Sequence, residues 1–192
     1  GIDAAVSRMT MLIDRFLSSE RQVEGVLKIE VLDTAALAHE VQRHFDQVGQ
    51  GGRLHFLSVE NVSDYWADVE MLRTVVVNLV DNALKYSPPL ATVEIAFFTR
   101  NKLLIVTVAD RGIGVPEDEL GHVGRRFFRA SNARNTIGNG LGFHTCGQLL
   151  EYHRGTVELR ARDGGGTVAT VRLPMPGLVP ESEAKCREVE RA

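Results

Sequence analysis

The sequence predicts an α+β fold, in which strands and helices follow one another without regular βαβ alternation. Three observations carry this. Two β-rich runs, Thr92–Thr99 and Leu103–Ala109, flank Arg100-Asn101-Lys102 and read as a hairpin. Two more, Thr156–Arg160 and Thr167–Leu173, close the chain around Asp163-Gly164-Gly165-Gly166. Helix-spaced apolar stripes precede and separate these pairs.

Taken in order, Met9, Leu12, Ile13, Phe16 and Leu17 lie at i, i+3, i+4, i+7 and i+8 of an amphipathic helix over Ala5–Ser18. With no local partner in the sequence, that helix is expected to dock on another helix, and the exposed stripe to promote self-association. A short strand is expected at Val26–Val31, then a helix over Ala35–Phe45 capped by Asp33 or Thr34. Gly49-Gln50-Gly51-Gly52 leads into an alternating strand, Leu54–Val59. A longer helix runs from Val69 to Tyr86 and stops before Pro88-Pro89. After the hairpin come Gly-rich loops and a helix over Leu141–Tyr152. The segment after Pro174 is rich in Pro and Glu and poor in apolar residues, so a mobile tail is expected.

Composition narrows the function. Apolar residues make up 44% and charged residues 24% of the 192, a globular balance that excludes a disordered or collagen-like chain. No apolar run approaches the roughly 18 residues of a membrane span. A net charge of −3 gives no basic footprint for nucleic acid. Cys146 and Cys186 match no zinc or redox spacing, which makes a reducing, cytoplasmic setting the expectation. The chain opens on Gly1 without Met, as an excised piece would, and a membrane anchor in the parent is compatible with that. Twelve of the 18 glycines fall between Gly112 and Gly166, where the backbone must bend sharply or approach a ligand closely.

Three constellations carry chemistry. On the helix ending at Tyr86, Asn78, Asn82 and Lys85 fall within about 60° of arc at 100° per residue, beside a stripe of Leu72, Val75, Val76, Leu79, Val80 and Ala83. Two carboxamides offer oxygen ligands to a hard cation and the ammonium offers charge to phosphate; a polar edge on a half-buried helix is the plainer alternative. Asp110-Arg111-Gly112-Ile113-Gly114 leaves an apolar strand, so an acid at a strand end sits under a loop that a planar base can approach. An ordinary strand exit would look the same. Gly138-Asn139-Gly140-Leu141-Gly142 opens a helix, where exposed N–H groups can cradle phosphate or merely form a flexible loop. No Gly-Lys-Ser/Thr follows, so this is not a Walker loop.

In order and spacing, Asn78 through Ser87, then Asp110 to Gly114, then Gly138 to Gly142 resemble the N, G1 and G2 boxes of the Bergerat-fold ATPases, and specifically those of bacterial sensor histidine kinases. Arg126-Phe127-Phe128-Arg129 is similar to the second half of the F box, and Ser7–Leu17 to the end of the second dimerisation helix. The resemblance spans about Ser7 to Pro174. It implies a two-layer α/β sandwich, a mixed sheet with one face covered by helices. It also implies ATP and Mg²⁺ as cofactors, Asn82 with Asn78 as metal ligands, and Lys85 on phosphate. Tyr86 would pack on adenine, and Asp110 would accept the adenine amino group. Gly112, Ile113, Gly114, Gly138, Gly140, Leu141 and Gly142 would line the site. Lys85, Arg126 and Arg129 are the implied catalytic cations, with each arginine either a γ-phosphate contact or equally a solvated lid charge, and Glu117–Ile137 is the lid.

The sequence departs from the family pattern at Thr74 for Gln, Gly124 for the first F-box Phe, Asn139 for Thr or Ser, and Phe143-His144 for a small aliphatic pair. These lie mostly in or beside the lid, and Gly124 is expected to loosen it. Ala38-His39-Glu40 imitates an H box but lacks its Pro and follows the dimerisation helix instead of preceding it. The phosphoacceptor is therefore expected outside this chain, and self-labelling by ATP is not expected. The division is residues 1–25 as dimerisation-helix remnant and linker, 26–175 as catalytic ATP-binding domain and 176–192 as tail. The implied activity is transfer of the γ-phosphoryl of Mg·ATP to a histidine of the dimerisation domain for relay to a response regulator, in a homodimeric parent. A transfer-deficient nucleotide-binding regulatory module is the alternative.

Overall fold

The computed structural model describes residues 27–62, 65–133, 136 and 140–175. The helix expected at Ala5–Ser18, the tail from residue 176, and Gly138 with Asn139 lie outside the described residues. Helix α1 (Thr34–Gln47) starts where Asp33 caps it, the carboxylate accepting from Ala36 N at 2.9 Å. Its Leu37, Ala38, Val41 and Phe45 are buried. Strand β1 (Glu30–Val31) is shorter than the Val26–Val31 expected, and pairs antiparallel with β3 (Trp66–Ala67). Two residues per strand are too few to show a period, which is why β3 was not anticipated.

The main sheet has five strands: β2 (Leu54–Val59), β4 (Val93–Arg100), β5 (Leu103–Ala109), β6 (Thr156–Ala161) and β7 (Thr167–Pro174). Their order is β2-β4-β5-β7-β6, parallel between β2 and β4 and antiparallel elsewhere, the mixed sheet that was expected. The β4–β5 turn puts Asn101 and Lys102 at φ of 53° and 62°, as a two-residue hairpin requires. Helices α2 (Val69–Tyr86) and α3 (Gly142–Tyr152) and α1 cover one face. Val93, Ile95 and Phe97 of β4, Leu104, Val106 and Val108 of β5, and Ala169, Val171 and Leu173 of β7 point into that core. The outer face carries charge, including Arg172 on Glu158 at 2.9 Å.

Two polar fixtures set how α2 lies on the sheet. At its start, Asp68 caps Met71 N at 2.9 Å, while the Asp68 N–H donates to Nε2 of His153 at 2.8 Å. Burial holds the imidazole of His153 below its usual pKa, against the opposing pull of the Asp68 carboxylate. A depressed His value means that the unfolded chain binds the proton first. Stability is therefore full above the unfolded value of about 6.5 and falls as pH drops through the folded value. His153→Gln, which keeps an acceptor for Asp68, should flatten that part of the pH–stability profile in urea titrations; an unaltered slope would refute the assignment.

At the other end of α2, Arg53 donates to the carbonyls of Leu84, Pro88 and Ala91 at 3.3, 2.9 and 2.9 Å. One guanidinium thus satisfies the helix end where Pro88-Pro89 stops it. Arg53→Ala should cost about 1–3 kcal/mol of folding stability, read from the shift in denaturant midpoint. A shift near zero would show that water replaces these bonds without loss.

Candidate functional site

A cavity of about 540 Å³ opens between α2, the C-terminal end of β5 and the start of α3. Asn78, Asn82, Lys85, Tyr86, Asp110, Ile113, Gly114, Arg129, Gly140 and Gly142 all border it, from four separate stretches of sequence. Asn78 is buried and Asn82 half-buried, on the stripe that the helical spacing predicts. Both amides turn toward the start of α3. A Cβ at Gly142 would lie 3.4 Å from Asn82 Nδ2 and 3.9 Å from Asn78 Oδ1. The ammonium of Lys85 stands 4.9 Å from the centroid of the Tyr86 ring.

Asp110 is 5% exposed and closely engaged. Its Oδ1 accepts from Gly112 N at 2.7 Å and Thr167 N at 3.2 Å, and its Oδ2 accepts from the Thr167 hydroxyl. A carboxylate has about four lone-pair sites, so these three donors leave one on Oδ2 for a ligand donor. Gly112 lies so close to the end of α2 that a Cβ there would stand 2.5 Å from Tyr86 O, which also accepts from Ile113 N at 3.1 Å. That contact locks the acid of one element against the Asn-Lys stripe of another.

Thr167 was not singled out from the sequence, although three glycines directly before it mark a close approach. Gly166 has φ +96°, and a Cβ on it would lie 2.2 Å from Asp110 O. The β6–β7 turn therefore rests directly on the acid's own backbone.

The expected lid segment contains two short 3-10 turns, Glu117–His122 and Ser131–Ala133. Its described residues are tied down by more polar bonds than its composition indicates. Ser131 N donates to Glu119 at 2.7 Å, and Asn132 Nδ2 donates to Ile113 O and Gly114 O at 3.2 and 3.1 Å. Where Gly124 was expected only to loosen the lid, the Phe143 ring stands 3.6 Å from its would-be Cβ, and His144 Nδ1 is 2.9 Å from its carbonyl. Arg129 donates to the carbonyls of Ala133 and Thr136. Arg126 lies over the exposed Phe127 ring and does not border the cavity. The structure thus brings Lys85 and Arg129 to the site and leaves Arg126 outside it.

Among the described residues no three His, Cys, Asp or Glu side chains gather to hold a metal. The neutral amide oxygens of Asn78 and Asn82 do fit Mg²⁺, which keeps several waters and takes its remaining ligands from phosphate oxygens. Among the described residues no helix is long and apolar enough to cross a membrane.

Known proteins resemble this chain in sequence and in fold. The sensor histidine kinase YkoH of Bacillus subtilis is 30% identical over 175 residues, 90% of this chain and 38% of YkoH. The chain thus spans well under half of that relative. The mycobacterial sensor histidine kinase MprB superposes with a TM-score of 0.65 at 26% identity, over 76% of this chain and 98% of the solved one. Full-length ShkA, solved in complex with AMPPNP, gives a TM-score of 0.67 at 21% identity over 78% of this chain and 32% of ShkA, a likeness of fold. The model of the histidine kinase-, DNA gyrase B-, and HSP90-like ATPases matches residues 67–177, so the chain belongs to that ATPase family, with the fold and the sequence similarity of sensor histidine kinases.

Proposed function

We propose that the cavity binds Mg·ATP and that the parent protein transfers its γ-phosphoryl to a histidine of the dimerisation and phosphotransfer domain, for relay to a response regulator. The observation that supports this most is the Asp110 carboxylate, buried at the cavity with one acceptor site left on Oδ2. An exocyclic amine fills such a site and a carbonyl oxygen does not, which favours adenine over guanine. Tyr86 and Ile113 flank the base, and Lys85 meets the phosphates.

Asn82 and Asn78 would hold Mg²⁺, which when bound neutralises phosphate charge. The chain itself orients the nucleotide: Asp110 fixes the adenine, Lys85 attracts the phosphates, and Gly140, Leu141 and Gly142 let the backbone close over them. In the transfer, the bond from the γ-phosphorus to its bridging oxygen breaks, a bond to the acceptor imidazole nitrogen forms, and ADP leaves. Little covalent help is needed from the protein, because such transfer depends chiefly on positioning and electrostatics.

The placement of Arg126 and Arg129 favours a second reading, nucleotide binding without transfer. Arg126 lies outside the cavity and Arg129 is engaged with carbonyls, so among the described residues these two placements leave Lys85 as the cation set to face the phosphates. Calorimetric titration with ADP, with and without Mg²⁺, tests the site: Mg²⁺-dependent binding is expected, and its absence would refute it. Labelling of a supplied dimerisation-domain fragment from ATP then separates the readings, since binding without label would favour the second.

A further inference from the structure

We propose that Arg162 is a positioning residue for nucleotide recognition, holding the backbone of Asp110 from the far side of the sheet with Glu94 as its anchor. The inference rests on the reading of Asp110 as the acceptor for adenine. Arg162 follows β6 directly, and its N–H donates to Gly166 O at 3.1 Å. From there its side chain passes the end of β7 to reach two inner strands. Nη1 donates to the carbonyl of Asp110 at 3.3 Å, and Nη2 meets Glu94 Oε2 at 2.5 Å. Glu94 lies on β4 opposite Ala109, the residue before Asp110, so the three groups converge where β5 leaves the sheet.

The location gives the contact its leverage. The N–H of Asp110 is still within the sheet edge, donating to Thr167 O at 2.9 Å. Its carbonyl belongs to the first peptide beyond the ladder, where the chain turns through Arg111 toward Gly112. If that peptide rotates, Gly112 N leaves Oδ1 and the carboxylate loses its orientation. A guanidinium on the carbonyl opposes the rotation without touching the ligand.

The pair is well shielded, with side chains only 15% and 26% exposed, so solvent screens it less than an exposed pair. The Arg162 hydrogen bond holds the Glu94 carboxyl below its ordinary range, with Arg111 and His55 adding to the positive field. Arg160, two residues earlier on β6, is exposed and meets Glu158 at 3.2 Å, which makes it a suitable control.

The test is titration of the 192-residue chain with Mg·ADP and with the diphosphate of purine riboside, which lacks the 6-amino group. Arg162→Met should weaken ADP binding about tenfold, the size of one hydrogen bond to a charged group. The analogue should lose less, so that the preference for ADP narrows. Arg162→Lys should restore part of the preference, Glu94→Gln should narrow it to a smaller degree, and Arg160→Met should leave it alone.

A folded Arg162→Met variant with wild-type ADP affinity would overturn the proposal, as would equal losses for both ligands, which signify general distortion. If Arg162→Met does not fold, Glu94→Gln decides, and an unchanged preference overturns the proposal. Unchanged ADP affinity in Asp110→Asn would instead refute the adenine reading itself. Loss in Asp110→Asn without loss in Arg162→Met removes only the positioning role.

Discussion

Asp110→Asn should lower ADP affinity by about 100-fold while leaving the folded structure in place. The hydrogen bonds dictate which way the amide must point. Oδ1 accepts two backbone N–H groups, from Gly112 and Thr167, so the amide oxygen has to occupy that position. The amide nitrogen then replaces Oδ2. Within the protein this is tolerable, because the Thr167 hydroxyl can turn and accept where it had donated. Toward the ligand it is not, because an N–H now faces the adenine amino group, donor against donor in a buried site. Charge assistance, which roughly doubles the strength of such a bond, is lost as well. Calorimetry with ADP, beside a thermal melt of the same sample, checks both halves. Wild-type affinity in a variant that melts like wild type would exclude Asp110 as the base acceptor.

Gly166→Ala should be the more damaging substitution for stability, at about 3 kcal/mol or more, from two separable sources. At φ +96° any side chain is strained, by about 1–2 kcal/mol. Beyond that, the new Cβ would stand 2.2 Å from Asp110 O, a backbone atom that cannot swing aside as a side chain would. Gly165 supplies the control, since it has φ +100° but no heavy atom within 4 Å of its would-be Cβ. Gly165→Ala should therefore cost only the conformational part. Urea midpoints at unchanged slope measure both. Equal costs at the two positions would mean that the β6–β7 turn yields without resistance. Nucleotide affinity should fall in Gly166→Ala as well, because relief of the overlap pulls Thr167 away from the acid.

The parts of the site that the sequence made legible are those written locally. Asn78, Asn82 and Lys85 share a stripe because helical geometry leaves no other choice once Val69–Tyr86 is helical. Asp110 stood out as a charge directly after an apolar strand, and the strand runs over Leu103–Ala109 as expected. The partners of Asp110 were not legible, because they come from 52 and 57 residues away, where β6 and β7 return to its side. No periodicity within one segment reports on that pairing. The lid illustrates a different limit. Gly124 by itself signals freedom, but the ring that restrains it belongs to Phe143 on another element, and only the packed structure shows the two together. Arg126 and Arg129 were indistinguishable as sequence, and their different placements follow from one turn of backbone, in which Phe127 takes φ of 64°.

The strand order has a consequence for how the chain comes to be folded. The central strand β5 finds one neighbour at once, through the tight hairpin to β4, but its other neighbour is the last strand of the sheet, with Leu103 opposite Pro174. During synthesis, therefore, Leu103–Ala109 waits with one edge bare while the next 60 or so residues emerge, a delay of several seconds at ordinary translation rates. The helices can form locally in that interval, but the floor beneath them is complete only when β7 arrives. A chain halted shortly before Thr167 would present the apolar β5 edge to any passing strand, the template from which misassembly starts. Closure between distant partners also sets a slow pace for refolding from denaturant. The same pairing that holds Thr167 against Asp110 thus makes the binding site one of the last features of the domain to exist.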